Sequence, residues 1–259
     1  MRAIAERVAG RVAAAQTPLV LTGAGMSAES GVPTFRDAQT GIWSRFDPDE
    51  LATLEAFRRR PDVVFGWYLG RLRDVVSIEP HEGYAALVEL ERILGSLPIV
   101  TQNVDGLHGR AGSSDVTELH GSLSAFRCDG GGHPFPVEDV LALDVVGRDG
   151  RMSPPKCSSC GCLVRPGVIW FGELLPEQAM LRAEQLAVES DVVLLVGTSS
   201  VVYPAAGLPA IAQASGAFVI EINPEPTGFT VQSDLSWRAR AGAALTEISR
   251  LVSSMKATL

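Results

Sequence analysis

The chain has 259 residues, 46% of them hydrophobic, which is enough for one or two domains around a sizeable core. Its 22 basic and 30 acidic side chains give a formal charge of −8, which argues against a nucleic-acid-binding domain and for work on small molecules and other proteins. No apolar run approaches the length of a membrane span, and four cysteines, three of them within residues 157–162, read as thiolate ligands rather than a secreted disulfide framework, so a cytoplasmic protein is expected.

The opening MRAIAERVAGRVAAAQ carries Arg2, Arg7 and Arg11, as a transit peptide would, but Glu6 and the spacing of Ile4, Val8 and Val12 predict a surface helix. Next comes LVLTGAGMSAESGVPTFRD. Leu19, Val20 and Leu21 predict a strand buried on both faces of a parallel sheet. Gly23 and Gly25 predict a tight turn where a phosphate can approach the backbone at a helix start. Ala28 stands where a third glycine is usual, and no acidic residue ends a second strand about twenty positions on. Close packing of the turn would explain Gly-x-Gly equally well.

Residues 41–76 form a helical pattern broken by Pro48 and Pro61, with Phe57, Val64, Phe65, Tyr68 and Leu72 at three- and four-residue steps, as in an amphipathic module. HEGYAALVELERILG reads as a crossover helix. LPIVTQNVDGLH reads as a strand delivering Gln102, Asn103 and Asp105 at its carboxyl end, where open parallel sheets bind ligands. VTELHGSL gives a short strand and a turn at His120, a side chain that titrates near neutral pH and can accept a proton. From Cys128 to Cys160 the composition shifts to Gly, Pro and Asp with cysteines at both ends, as in a metal-stapled insert. A strand and helix return from Leu163, followed by the strands DVVLLVGTS and AFVIEIN and a closing helix in ARAGAALTEISRLVSSM. Strands alternating with helices predict an α/β fold with a parallel sheet. His81, after Pro80, is expected at a helix start, and His108 in packing or capping.

GAGMSAESGVPTFRD, TQNVDGLH, LHGS, GTSSVVYPA and INPEP occur in the order found in the sirtuins, and on these five motifs the chain resembles that family of NAD-dependent protein lysine deacylases over nearly its whole length. The resemblance implies a Rossmann-like NAD-binding domain of residues 1–40, 77–122 and 163–259. A small domain would combine the helical module 41–76 with a zinc-ribbon-like insert 123–162. It also implies transfer of a lysine acyl group to the nicotinamide ribose of NAD, with free lysine, nicotinamide and 2′-O-acyl-ADP-ribose as products. His120 would be the general base, with Asn103 and Asp105 holding ribose and carboxamide. Gly23, Ala24, Gly25, Ala28, Phe35, Arg36, Gln102, Gly197, Thr198, Ser199, Asn223, Glu225 and Ala241 would complete the cofactor site, and Val168 and Phe171 would flank the substrate. Capping of a turn at a strand end is the plainer role for Asn103 and Asp105. Rival outcomes on the same scaffold are ADP-ribosyl transfer, NAD hydrolysis and a non-catalytic NAD sensor.

Tyr68 and Arg71, at i and i+3, share one helix face and can converge on a small anion. The pair resembles the sirtuin class that removes succinyl, malonyl and glutaryl groups. The metal insert departs from the family's two Cys-x-x-Cys pairs: Cys157 and Cys160 form one, but Cys128 is followed by Asp129, Gly130 and Gly131. Either His133 or Cys162 could supply the fourth ligand of a closed structural zinc site, or the site has lost its metal. Tyr84 stands where the family often has histidine. The expected partners are acylated lysines of proteins, with no nucleic acid and no membrane. A bacterial-type monomer without long terminal extensions is expected.

Overall fold

The computed structural model describes residues 2–32, 51–143 and 150–257. Helix α1 (Arg2–Ala14) buries Ala5, Val8, Ala9 and Val12, the stripe that its spacing predicts. Strand β1 (Pro18–Thr22) follows and is buried at every position, as a central parallel strand must be.

Thr53 starts α2 (Leu54–Arg59) by accepting the Ala56 N–H at 3.1 Å, and Pro61 opens α3 (Pro61–Ser77) at a position where no N–H is required. The helical module therefore forms as expected in residues 51–77, and its first part, 41–50, lies outside the described residues. Helix α3 is not amphipathic in its first half. Val63 to Leu69 are buried without a break, because the helix is wedged between α2 and the small sheet described below.

Helix α4 (Glu82–Leu94), capped by His81, crosses to β2 (Ile99–Thr101); the short α5 (Leu107–Ala111) leads to β3 (Val116–Glu118). Between β3 and the second half of the large sheet the chain forms a small module. It consists of β4 (Gly121–Cys128), β5 (Pro134–Phe135), α6 (Val137–Leu141) and β6 (Val164–Val168), with strand order β5-β4-β6, all antiparallel. The division implied by the resemblance gave the strand after Leu163 to the large domain. Its backbone instead pairs with β4, from Gly121 opposite Val168 to Cys128 opposite Val164. The short run VRPGV does not by itself reveal its partner.

The chain then returns through α7 (Glu177–Glu189), β7 (Val192–Val196), α8 (Leu208–Ala214), β8 (Phe218–Ile222), β9 (Leu235–Trp237) and α9 (Ala241–Ala257), which packs on α1 and α4. The large sheet has order β3-β2-β1-β7-β8-β9 with every pair parallel. Its six strands thus follow the doubly wound order in which the chain moves outward one way from β1 and the other way from β7. This is the Rossmann-like α/β fold expected. The strand order reverses between β1 and β7, and the crevice at that point is where such sheets take ligands.

Candidate active site at the sheet switch point

At this crevice the first turn is locked to the loop after β7. The Gly25 N–H donates to the Gly197 carbonyl at 2.7 Å, and a Cβ on Gly25 would lie 2.7 Å from that oxygen. A Cβ on Gly23 would meet Thr198 Cβ at 2.8 Å. Contact between two loops therefore requires both glycines here. The segment continues as two 3₁₀ turns, Ala24–Met26 and Ala28–Ser30, in place of the expected helix start.

A cavity of about 540 Å³ opens beside this contact. Gly23, Ala24, Gly25, Gly197, Thr198 and Ser199 line one side, Gln102, Asn103, Asp105 and His120 another, and Tyr68, Arg71, Val168 and Phe171 a third. The strand ends of β1, β2 and β7, the turn after β3, helix α3 and the end of β6 bring these residues together from across the sequence.

His120 is held in one tautomer. Its Nδ1 lies 2.9 Å from the Gln102 carbonyl, which can only accept, so Nδ1 carries the proton and Nε2 is left as a base. Burial lowers the imidazole pKa below its ordinary value, partly opposed by that backbone bond, so the ring is neutral at physiological pH.

Asn103 and Asp105 are organised by Ser27. The Ser27 hydroxyl donates to Asp105 Oδ2 at 2.6 Å and accepts from Asn103 Nδ2 at 2.9 Å. Tyr84 Oη stands 2.8 Å from the same oxygen, and since the serine proton is committed to the carboxylate, the phenol donates. Ser27 thereby uses both lone pairs and its proton. Burial raises the Tyr84 phenol far above its ordinary range, so this donor does not titrate away. Asp105 Oδ1 also accepts the Leu107 N–H at 3.0 Å, so this residue does cap the turn while lining the cavity.

Behind them, His108 Nε2 lies 3.0 Å from Thr22 Oγ1, which donates to Thr101 Oγ1, which accepts the Asn103 N–H. His108 is a packing residue, as expected, and His81 caps α4 by accepting the Gly83 N–H. Burial, with a smaller contribution from His81, pushes the His108 pKa down to about 4. The unfolded chain, with an ordinary imidazole, binds more protons between that value and about 6.5, so stability is complete above this window and falls as pH drops through it. The loss amounts to about 3 kcal/mol at most. Denaturant titrations at pH 5 and pH 7.5 are expected to show a smaller difference for His108→Gln than for the parent; equal differences would assign acid sensitivity elsewhere.

At the far end, Tyr68 Oη accepts the Trp170 indole N–H at 3.0 Å. Arg71 lies over the Trp67 ring at 5.3 Å, and among the described residues no carboxylate stands within ion-pair distance of it. A partly buried guanidinium with no carboxylate in ion-pair contact among the described residues, beside a phenol in a largely apolar cavity, is suited to an anionic group.

A profile of the Sir2 family matches residues 23–204, which is more than half of the chain. The chain belongs to the Sir2 family. An NAD-dependent protein deacylase of Thermus thermophilus is 48% identical over 240 residues, covering 91% of this Sir2 chain and 90% of the relative. Among solved structures, a Sir2 homologue in complex with NAD is 43% identical with a TM-score of 0.89 and covers 97% of this chain and 94% of that one. A mutant Sir2 homologue in complex with 2′-O-acetyl ADP ribose is 42% identical with a TM-score of 0.87, with 96% and 97% covered.

The small module of this Sir2 chain gathers Cys128, His133, Cys157 and Cys160, with one ligand atom from each lying within 4.8 Å of all the others. His133 Nδ1 is 3.4 Å from Cys128 Sγ and 3.6 Å from Cys157 Sγ, and the Cys128 and Cys160 sulfurs are 3.6 Å apart. Tetrahedral zinc with the usual bond lengths would set such edges at about 3.6–3.8 Å, so the donor set fits. Of the two candidate fourth ligands, His133 joins the cluster; Cys162 is outside it, against Gly130.

Phe35 and Arg36 lie outside the described residues. Ala28 is exposed in the second 3₁₀ turn, and Asn223, Glu225 and Ala241 sit at the ends of β8 and α9 rather than on the cavity wall. Asn223 Nδ2 donates to the Thr198 carbonyl at 3.0 Å and so supports that wall. Sequence reasoning missed Ser27, Tyr84 and Trp170. The departure from histidine at Tyr84 was the only available signal for any of them.

Proposed function

We propose that this chain removes acyl groups from protein lysines with NAD as acceptor, that it takes succinyl and related acidic groups as well as acetyl, and that it works in the cytoplasm. The observation that carries the reading is His120: a neutral imidazole with its unprotonated Nε2 on the wall of a cavity it shares with Asn103 and Asp105. The name of the Thermus relative and the NAD and acetyl-ADP-ribose complexes of the structural neighbours support the same reaction.

The residues present suit NAD. Gly23, Ala24, Gly25, Thr198 and Ser199 offer small side chains and hydroxyls, while Asn103 and Asp105 offer an amide and a carboxylate for ribose and carboxamide. Bound NAD supplies a sugar hydroxyl as acyl acceptor and releases nicotinamide. His120 Nε2 takes the proton from a ribose hydroxyl, and Gln102 holds the ring for that task. The Ser27 assembly keeps the Asn103 amide and the Asp105 carboxylate in fixed orientations, so little reorganisation accompanies reaction. Tyr68 and Arg71 receive the carboxylate of an acidic acyl chain. Cys128, Cys157, Cys160 and His133 would hold a structural zinc, and four protein ligands would leave it no open position for substrate.

Purified protein incubated with NAD and matched acetyl- and succinyl-lysine peptides is expected to release nicotinamide and free lysine in equal amounts from both peptides, and to contain one zinc per chain by elemental analysis. Nicotinamide release without loss of an acyl group would replace this reading with NAD hydrolysis or ADP-ribosyl transfer.

A further inference from the structure

Trp170 lies at the acyl end of the cavity and is itself almost completely buried. The Arg165 guanidinium carbon is 3.4 Å from its ring centroid, and the Phe57 ring lies at 5.3 Å. Arg165 is pinned in turn by two bonds to Glu173, at 2.6 and 2.8 Å, and Glu173 Oε2 accepts the Trp170 backbone N–H at 2.8 Å. The indole therefore has one available orientation, with Nε1 directed at Tyr68 Oη, 3.0 Å away.

An indole N–H can only donate, so Tyr68 Oη must accept from it. A phenol oxygen has its proton and its best acceptor direction in the plane of the ring. Filling the acceptor side with Trp170 leaves the Tyr68 O–H to point the other way. Among the described residues no acceptor takes that proton, and the cavity contains Arg71 one helical turn on, also without a carboxylate partner. Two donors without acceptors among the described residues, at one end of a largely apolar pocket, fit an acyl chain ending in a carboxylate. If the phenol were free to rotate, it could as well present a lone pair, which would repel that group.

We propose that Trp170 is a specificity-determining positioning residue: its N–H fixes Tyr68 as a hydrogen-bond donor into the acyl pocket beside Arg71, and so favours acyl chains that end in a carboxylate. The inference rests on the acidic-acyl reading of Tyr68 and Arg71 and names what orients that pair.

Trp170→Phe keeps an aromatic ring against Arg165 and Phe57 and removes the donor together with part of the indole's volume, a loss that Tyr68→Phe does not share. With matched peptides, the ratio of desuccinylation to deacetylation in kcat/KM is expected to fall about five- to tenfold, the scale of one hydrogen bond. Tyr68→Phe is expected to lower the ratio as well. In the Tyr68→Phe background, Trp170→Phe should change it no further, since the indole would have no phenol left to orient. A parallel fall in both activities, or an effect of Trp170→Phe that persists undiminished without the Tyr68 hydroxyl, would reduce Trp170 to a packing residue and overturn the proposal. Should the parent protein remove acetyl but not succinyl, the acidic-acyl reading itself fails and the proposal with it, an outcome distinct from a parent with both activities whose ratio ignores Trp170.

Discussion

Arg71→Met is expected to remove most desuccinylation while deacetylation changes by no more than a few-fold. Methionine keeps a long, flexible apolar stem in the helix and deletes the guanidinium. A hydrogen bond to a charged partner is worth about 1.5–3 kcal/mol, so kcat/KM for the succinyl peptide should fall by roughly 10- to 100-fold. An acetyl group ends in a methyl and has nothing to lose at that point. Arg71→Lys tests geometry separately from charge: the cation remains but the planar fork does not, and an intermediate loss is expected. Arg71 also lies near enough to Asp105 for their charges to interact. If both activities collapse together in Arg71→Met, its contribution is to the cofactor end of the cavity, and the acidic-acyl reading loses its main support.

The parts of the protein that were legible in the sequence are those set by local pattern. Leu19 to Leu21 could only be a buried strand, and His120, Asn103 and Asp105 follow strand ends that any parallel sheet would turn toward its switch point. The parts that were not legible depend on contacts between distant segments. Val164–Val168 reads VRPGV, a short run that names no partner sheet by its composition, and only its pairing with β4 places it in the small sheet. Gly25 looks like a phosphate turn, yet its N–H is spent on Gly197, 172 positions away in the chain. Ser27 reads as one more small residue in GAGMSAES, and its importance comes from the convergence of Tyr84, Asn103 and Asp105 on a single oxygen. His133 was one of two open choices until the fold put its Nδ1 among the sulfurs of Cys128 and Cys157. Spacing gives the donors, but the backbone around them decides which ones meet.

His120→Ala is expected to lower acyl transfer by roughly 10²- to 10⁴-fold, the usual contribution of a positioned general base. The loss should fall on kcat more than on KM, because the imidazole acts on a hydroxyl proton during reaction and contributes little to holding either substrate. Exchange of labelled nicotinamide into NAD, which needs only the acyl-lysine and an intact cofactor site, should survive better than acyl transfer if His120 acts after nicotinamide has left. The pH profile offers a second reading of the same residue. The base must be unprotonated, so activity should fall on the acid side as His120 gains its proton. Burial lowers that pKa, which moves the acid limb down from where an ordinary imidazole would put it. His108 is absent from the cavity wall, so replacing it should leave the position of this limb unchanged. A limb that stays in place in a residual-activity profile of His120→Ala would mean that another group supplies the base.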